Sequence, residues 1–136
     1  MSDYVVKIAL VASVVLLGYN VSEFIASFKS VSEKTEQFLR IAKENAAMDI
    51  DLRRSNVLLS SVLSIGYSLL IYFSDIVIWL VALMAIKLLL TLLISDRVLL
   101  QVLRDRVLSK KSYIISKFDA LFNALMGLAF ALILVL

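Results

Sequence analysis

No cysteine, histidine or proline occurs in this chain of 136 residues, and glycine occurs only three times. Each absence removes a class of chemistry. Without cysteine there is no disulfide, thiolate metal site or iron–sulfur cluster; without histidine there is no imidazole ligand for zinc or haem. No cofactor and no metal is therefore expected, and any catalysis would have to run on carboxylates alone. The patterns H-E-x-x-H and G-x-S-x-G and a phosphate-binding glycine loop are missing too. The chain reads as a non-enzyme. Asp49 and Asp51 form a pair of carboxylates, but the neighbouring Arg53 and Arg54 make them a charged turn rather than an acid–base site. Without proline no helix loses an N–H donor, which argues against a gate built on a proline kink.

What the chain has in excess is apolar surface. Hydrophobic residues make up 62% of it, mean hydropathy is +0.97, and a soluble domain carries only about half. The solvent implied is lipid. The net charge of +3 is small, and the basic residues flank apolar runs instead of forming a surface with stacking aromatics. Nucleic acid is not an expected partner.

Four apolar runs, residues 4–28, 57–73, 76–95 and 114–136, each approach the ~20 residues that a helix needs to cross ~30 Å of hydrocarbon. Only Ser74 and Asp75 separate the second from the third. Residues 57–95 are too long for one crossing, so they read as a tight helical hairpin, with a shallow re-entrant wedge as the alternative. The expected fold is all-α: a single integral membrane bundle of four transmembrane helices with two cytoplasmic or interfacial amphipathic helices.

Lysine and arginine orient this bundle. Lys29, Lys34, Arg40, Lys43, Arg53 and Arg54 fall between the first two runs. Arg97, Arg104, Arg106, Lys110, Lys111 and Lys117 fall between, or just inside, the last two. The other two of the fourteen basic residues, Lys7 and Lys87, lie within the first and third runs. Four crossings bring both basic loops, 29–56 and 96–113, to one face, and the positive-inside rule makes that face cytoplasmic. Both termini are then outside, and the expected location is the plasma (inner) membrane. The first run does not read as a signal peptide: Asp3 precedes Lys7, and no clear A-x-A site follows. The acceptor pattern at Asn20–Ser22 lies inside a span, so it is a chance match.

Residues 28–48 carry an apolar arc of Phe28, Val31, Phe38, Leu39, Ala42 and Ala46 opposite a mixed-charge face, the pattern of an amphipathic helix. Residues 96–111 carry Val98, Leu99, Val102, Leu103 and Val107 on one side. Arg97, Arg104 and Lys111 recur every seven residues on the other. A basic amphipathic helix suits an anionic lipid surface. If it stood upright it would rise about 24 Å, of which three connecting residues recover only about 10 Å. The expectation is a helix lying along the interface.

Depth can be counted at 1.5 Å per residue from the cytoplasmic end of each run. Lys87 is then about 12 Å deep and Thr91 about 6 Å; Asn20 and Glu23, Ser61 and Ser64, and Asp119 and Asn123 occupy the same slab. Each helix thus contributes two polar residues at i,i+3 or i,i+4. A lysine near the centre of a lone membrane helix costs about 2.5–3.5 kcal/mol on insertion scales. Glu23 and Asp119 are its expected partners, with snorkelling to the head groups as the alternative. The layer is either polar glue between helices or an ion or proton site open to the cytoplasm. Gly18, Gly66 and Gly127 sit in different runs. Ala120, Ala124 and Gly127 form a small-residue stripe suited to close packing or to self-association.

Two functions fit. One is a pore- or transporter-type subunit for ions or small solutes that conducts after oligomerising. The other is a non-conducting accessory or scaffold subunit of a larger membrane complex that docks partners through 28–48. The expected partners are the bilayer, with anionic lipids at its cytoplasmic face, and further copies or other subunits.

Overall fold

The computed structural model describes residues 2–136. They form five helices: α1 (Ser2–Ile25), α2 (Phe28–Glu44), α3 (Asp49–Tyr72), α4 (Ile78–Asp105) and α5 (Lys110–Val135). Four of them, all but α2, are long and apolar enough to cross a membrane. Large apolar side chains such as Val11, Leu58, Ile86 and Leu125 are more than half exposed. A water-facing surface of that kind would aggregate, so the bundle fits a membrane-embedded protein.

Local chemistry sets the helix ends without glycine or proline. Between α1 and α2 the chain breaks at Ala26 and Ser27, where the Ser27 side chain accepts from the Ser30 N–H at 3.1 Å and caps α2. At the far end of α2, Ala46 takes a left-handed φ of 51°. Its N–H donates to Lys43 O at 3.1 Å and the Ala47 N–H to Ala42 O at 2.9 Å, the two bonds of a Schellman motif. Asp75 and Arg106 turn the chain in the same left-handed way at φ 61° and 59°. Ser109 then caps α5 by accepting from the Ser112 N–H at 3.1 Å.

Packing divides the bundle into two pairs. α1 lies along α5 and α3 along α4, and the pairs meet through α4–α5 and α1–α3. Ala9, Tyr67, Ile71, Val81, Met84, Leu88 and Phe130 form the core, drawing on all four long helices. Gly127 lets two backbones approach: a Cβ there would lie 3.1 Å from both Leu17 N and Ser13 O. The small-residue stripe of α5 is therefore spent inside the chain, on α1.

The structure corrects the reading of residues 96–111. They are not a separate helix: α4 runs on unbroken to Asp105, and Lys110 and Lys111 already belong to α5. Part of the apolar arc is covered by protein: Val102 and Leu103 are buried, whereas Val107 is exposed. Gln101 stitches the turn, donating to Val107 O at 2.8 Å and accepting from the Ser109 N–H at 3.1 Å. Arg97 and Arg104 accordingly stand on α4 and Lys111 on α5. All three are exposed; Arg97 and Arg104 share a face of α4, but Lys111 is on another helix. At 28 residues, α4 is about 42 Å long, longer than a ~30 Å hydrocarbon layer is thick.

Candidate functional site

α4 and α5 are joined midway by a polar cluster. Helical periodicity puts Lys87 and Thr91 four residues apart on one face of α4, and Asp119 and Asn123 on one face of α5. Lys87 Nζ donates to Asp119 Oδ1 at 2.7 Å, to Thr91 Oγ1 at 2.8 Å and to Asn123 Oδ1 at 2.9 Å. Thr91 Oγ1 lies 3.2 Å from both Asp119 Oδ1 and Asn123 Oδ1, so its one proton reaches either acceptor. Asn123 Nδ2 donates to Asp119 Oδ2 at 3.3 Å. An ammonium carries three protons, and all three of Lys87's are engaged inside the cluster. The Lys87 and Asp119 side chains retain 24% and 11% of their exposure. Lys87 is paired across two helices instead of reaching for the surface.

The cluster faces a groove. Between α4 and α5, on one side of the network, lies a cavity of about 690 Å³ lined by Lys87, Asp119 and otherwise apolar side chains, among them Leu83, Leu90, Phe118 and Phe122. Its walls offer no further polar group to a solute, so nothing continues the pair into a polar path.

The remaining residues expected in the polar layer do not join the cluster. Asn20 is buried but its amide donates to Leu16 O of its own helix at 2.8 Å. Glu23 is not a partner of Lys87: among the described residues it makes no salt bridge, and α1 has no extended contact with α4. α1 packs on α5 instead, which carries Glu23 away. Ser61 and Ser64 line a different, smaller groove between α3 and α4, of about 370 Å³, with Ser68, Ala85 and Leu88. One slab of depth is thus spread over separate faces.

Other polar contacts have no counterpart in the depth count. In the core, Ser13 Oγ and Tyr67 OH are 2.6 Å apart, joining α1 to α3, while Ser13 also donates to Ala9 O at 2.8 Å. At the basic end, Arg53 grips Asp96 with two bonds of 3.1 and 2.9 Å, and Asn56 donates to Ser95 at 3.1 Å. Asp49 pairs with Arg106 at 3.2 Å, which makes it a link between turns. Tyr113 OH donates to Ala26 O at 2.6 Å, closing the break between α1 and α2. Lys117 sits 5.4 Å from the Phe24 ring centroid and Lys110 5.9 Å from that of Phe28. The i,i+4 spacing of Phe24 with Phe28, and of Tyr113 with Lys117, is the only sequence signal for this group. Among the described residues no set of three acidic side chains converges as a metal site. No family model, characterised protein or solved structure matches this chain.

Proposed function

We propose that this chain is a non-conducting accessory or scaffold subunit of a membrane complex. The observation that carries this reading is the closed Lys87 network: its three protons are used between α4 and α5, and the adjoining groove is apolar. A transport site needs groups that can release or exchange a ligand, whereas a closed network sets register between two helices. The chain lies in the plasma (inner) membrane with both termini outside and its basic end in the cytoplasm. There Arg97, Arg104 and Lys111 meet anionic lipid. The α2 helix, with Phe38 and Ile41 exposed, is the docking element. Cysteines at Glu36 and Arg104 should resist an impermeant reagent applied from outside, and one added after Leu136 should react.

A second reading is favoured by a separate observation. Ser61, Ser64 and Ser68 line the α3–α4 groove, and an oligomer that brought such grooves together would make a polar passage for ions or small solutes. Ion flux in liposomes separates the two. The accessory role expects leakage no greater than in protein-free vesicles at every protein-to-lipid ratio. Flux abolished by Ser64→Leu would replace it with the pore.

A further inference from the structure

We propose that the groove between α4 and α5 is closed by a second copy of this chain, whose Phe118 and Phe122 enter it and cover the Lys87–Asp119 pair. The inference rests on membrane residence and not on the accessory role. The groove extends from Leu80 to Ile94 along α4, about 21 Å. Leu83 and Leu90 stand along its α4 side. Phe118 and Phe122, each 57% exposed, stand along its α5 side.

Charge decides what kind of cover is needed. Ionisable side chains within membrane helices face protein or water, because hydrocarbon against a charge is costly. Lys87 lines this groove and keeps 24% of its side-chain exposure, so a lipid chain lying there would leave the ion pair against hydrocarbon. The pair is neutral as a whole and its lysine protons are engaged, so its cover needs no charge of its own. An aromatic ring suits it, since the ring face attracts an ammonium while its edge packs on apolar walls.

Symmetry makes the second copy that cover. A two-fold interface requires one self-complementary surface, and here an aromatic ridge stands beside an apolar groove on the same face. A two-fold axis along the membrane normal keeps every residue at its own depth. Phe118 and Phe122 lie one and three residues from Asp119, about 1.5 and 4.5 Å along the helix. The ridge of one copy therefore arrives at the level of the ion pair of the other, in both directions at once.

The chain has no native cysteine, which allows a direct test on the whole 136-residue chain in phosphatidylcholine liposomes. Copies carrying Leu90→Cys and copies carrying Phe118→Cys are reconstituted together and oxidised. The mixed disulfide should form roughly tenfold more readily than a disulfide between copies carrying Val62→Cys, which faces outward on α3, as a buried aromatic anchor implies. In otherwise unmodified protein, Phe122→Ala should shift the monomer–dimer midpoint by roughly tenfold in protein-to-lipid ratio. Its thermal unfolding in detergent should stay close to wild type. If Phe122→Ala does not fold, the cross-link still decides. A chain that is monomeric at every protein-to-lipid ratio overturns the proposal, and so does equal cross-linking through Val62. A lipid retained in the groove through purification, with no mixed disulfide, overturns it in favour of lipid.

Discussion

α5 is held on its two sides by different physics. Toward α1 it presents Ala120, Ala124, Gly127 and Ala131, all buried, and at Gly127 the two backbones almost touch. Toward α4 it presents Asp119 and Asn123, and the helices stand far enough apart to leave a groove of about 690 Å³. Lipid supplies little hydrophobic drive between helices, so an apolar contact holds only if the surfaces fit closely. A contact that does not fit closely needs bonds that hydrocarbon cannot replace. The α1 side follows the first route and the α4 side the second. The two sides should therefore fail differently.

The largest effect is expected on the α4 side. Lys87→Met leaves Asp119 as an uncompensated carboxylate, and breaking a buried pair from one side costs about 3–5 kcal/mol. The double variant Lys87→Met/Asp119→Asn should recover most of that loss, because an absent pair costs less than a broken one. Unfolding titrations in mixed detergent micelles measure both. If the single variant equals wild type, the network does not hold α4 to α5.

On the α1 side the damage comes from volume. A leucine at Gly127 would push against the Leu17 and Ser13 backbone atoms, which cannot rotate away, and overpacking of this kind costs about 1–3 kcal/mol. No second substitution of charge should rescue it. Gly18→Ala and Gly66→Ala are the controls: nothing lies within 4 Å of either added Cβ. Each should be neutral or stabilise its helix by up to ~1 kcal/mol. Loss of stability at all three glycines alike would remove the distinction between the two sides of α5.

The Ser13–Tyr67 bond, which ties α1 to α3 in the core, should matter less than either. Tyr67→Phe removes a partner without opening a cavity. Interhelical hydrogen bonds in membranes average ~0.6 kcal/mol, and a double-mutant cycle with Ser13→Ala should return a coupling of that order. A coupling of zero would mean that Ser13 is satisfied by Ala9 O alone.

Much of this architecture could be read along one dimension. Apolar length marked four long helices, and Ser74 and Asp75 marked the turn between α3 and α4. Lys87 demanded a partner at its own depth, and Asp119 is at that depth. Direction around each helix was harder to read. Glu23 matches Lys87 in depth as well as Asp119 does, but it belongs to a helix packed on the wrong neighbour. An apolar arc such as Val102 and Leu103 does not say whether lipid or protein covers it. The end of α4 left no glycine or proline signal, because Arg106 takes the left-handed turn that glycine would ordinarily fill.

The smallest effect sharpens the comparison by keeping the chemistry and changing the surroundings. Arg53 and Asp96 form a two-bonded pair between α3 and α4 at the basic end, with side chains 41% and 23% exposed. Its charges are opposite, as in Lys87–Asp119, and its distances are similar. Water reaches it, however, so each ion alone stays solvated when the other is removed. Exposed pairs are worth ~0.2–1 kcal/mol, and Asp96→Asn should cost no more than that. Salt separates the two pairs further. With a Debye length of ~10 Å at 0.1 M and ~3 Å at 1 M, raising ionic strength should erase the penalty of Asp96→Asn. The penalty of Lys87→Met should be unchanged, because a groove that faces lipid admits no ions. Equal salt sensitivity of the two variants would place Lys87 in water, and the closed network would then be open to solvent after all.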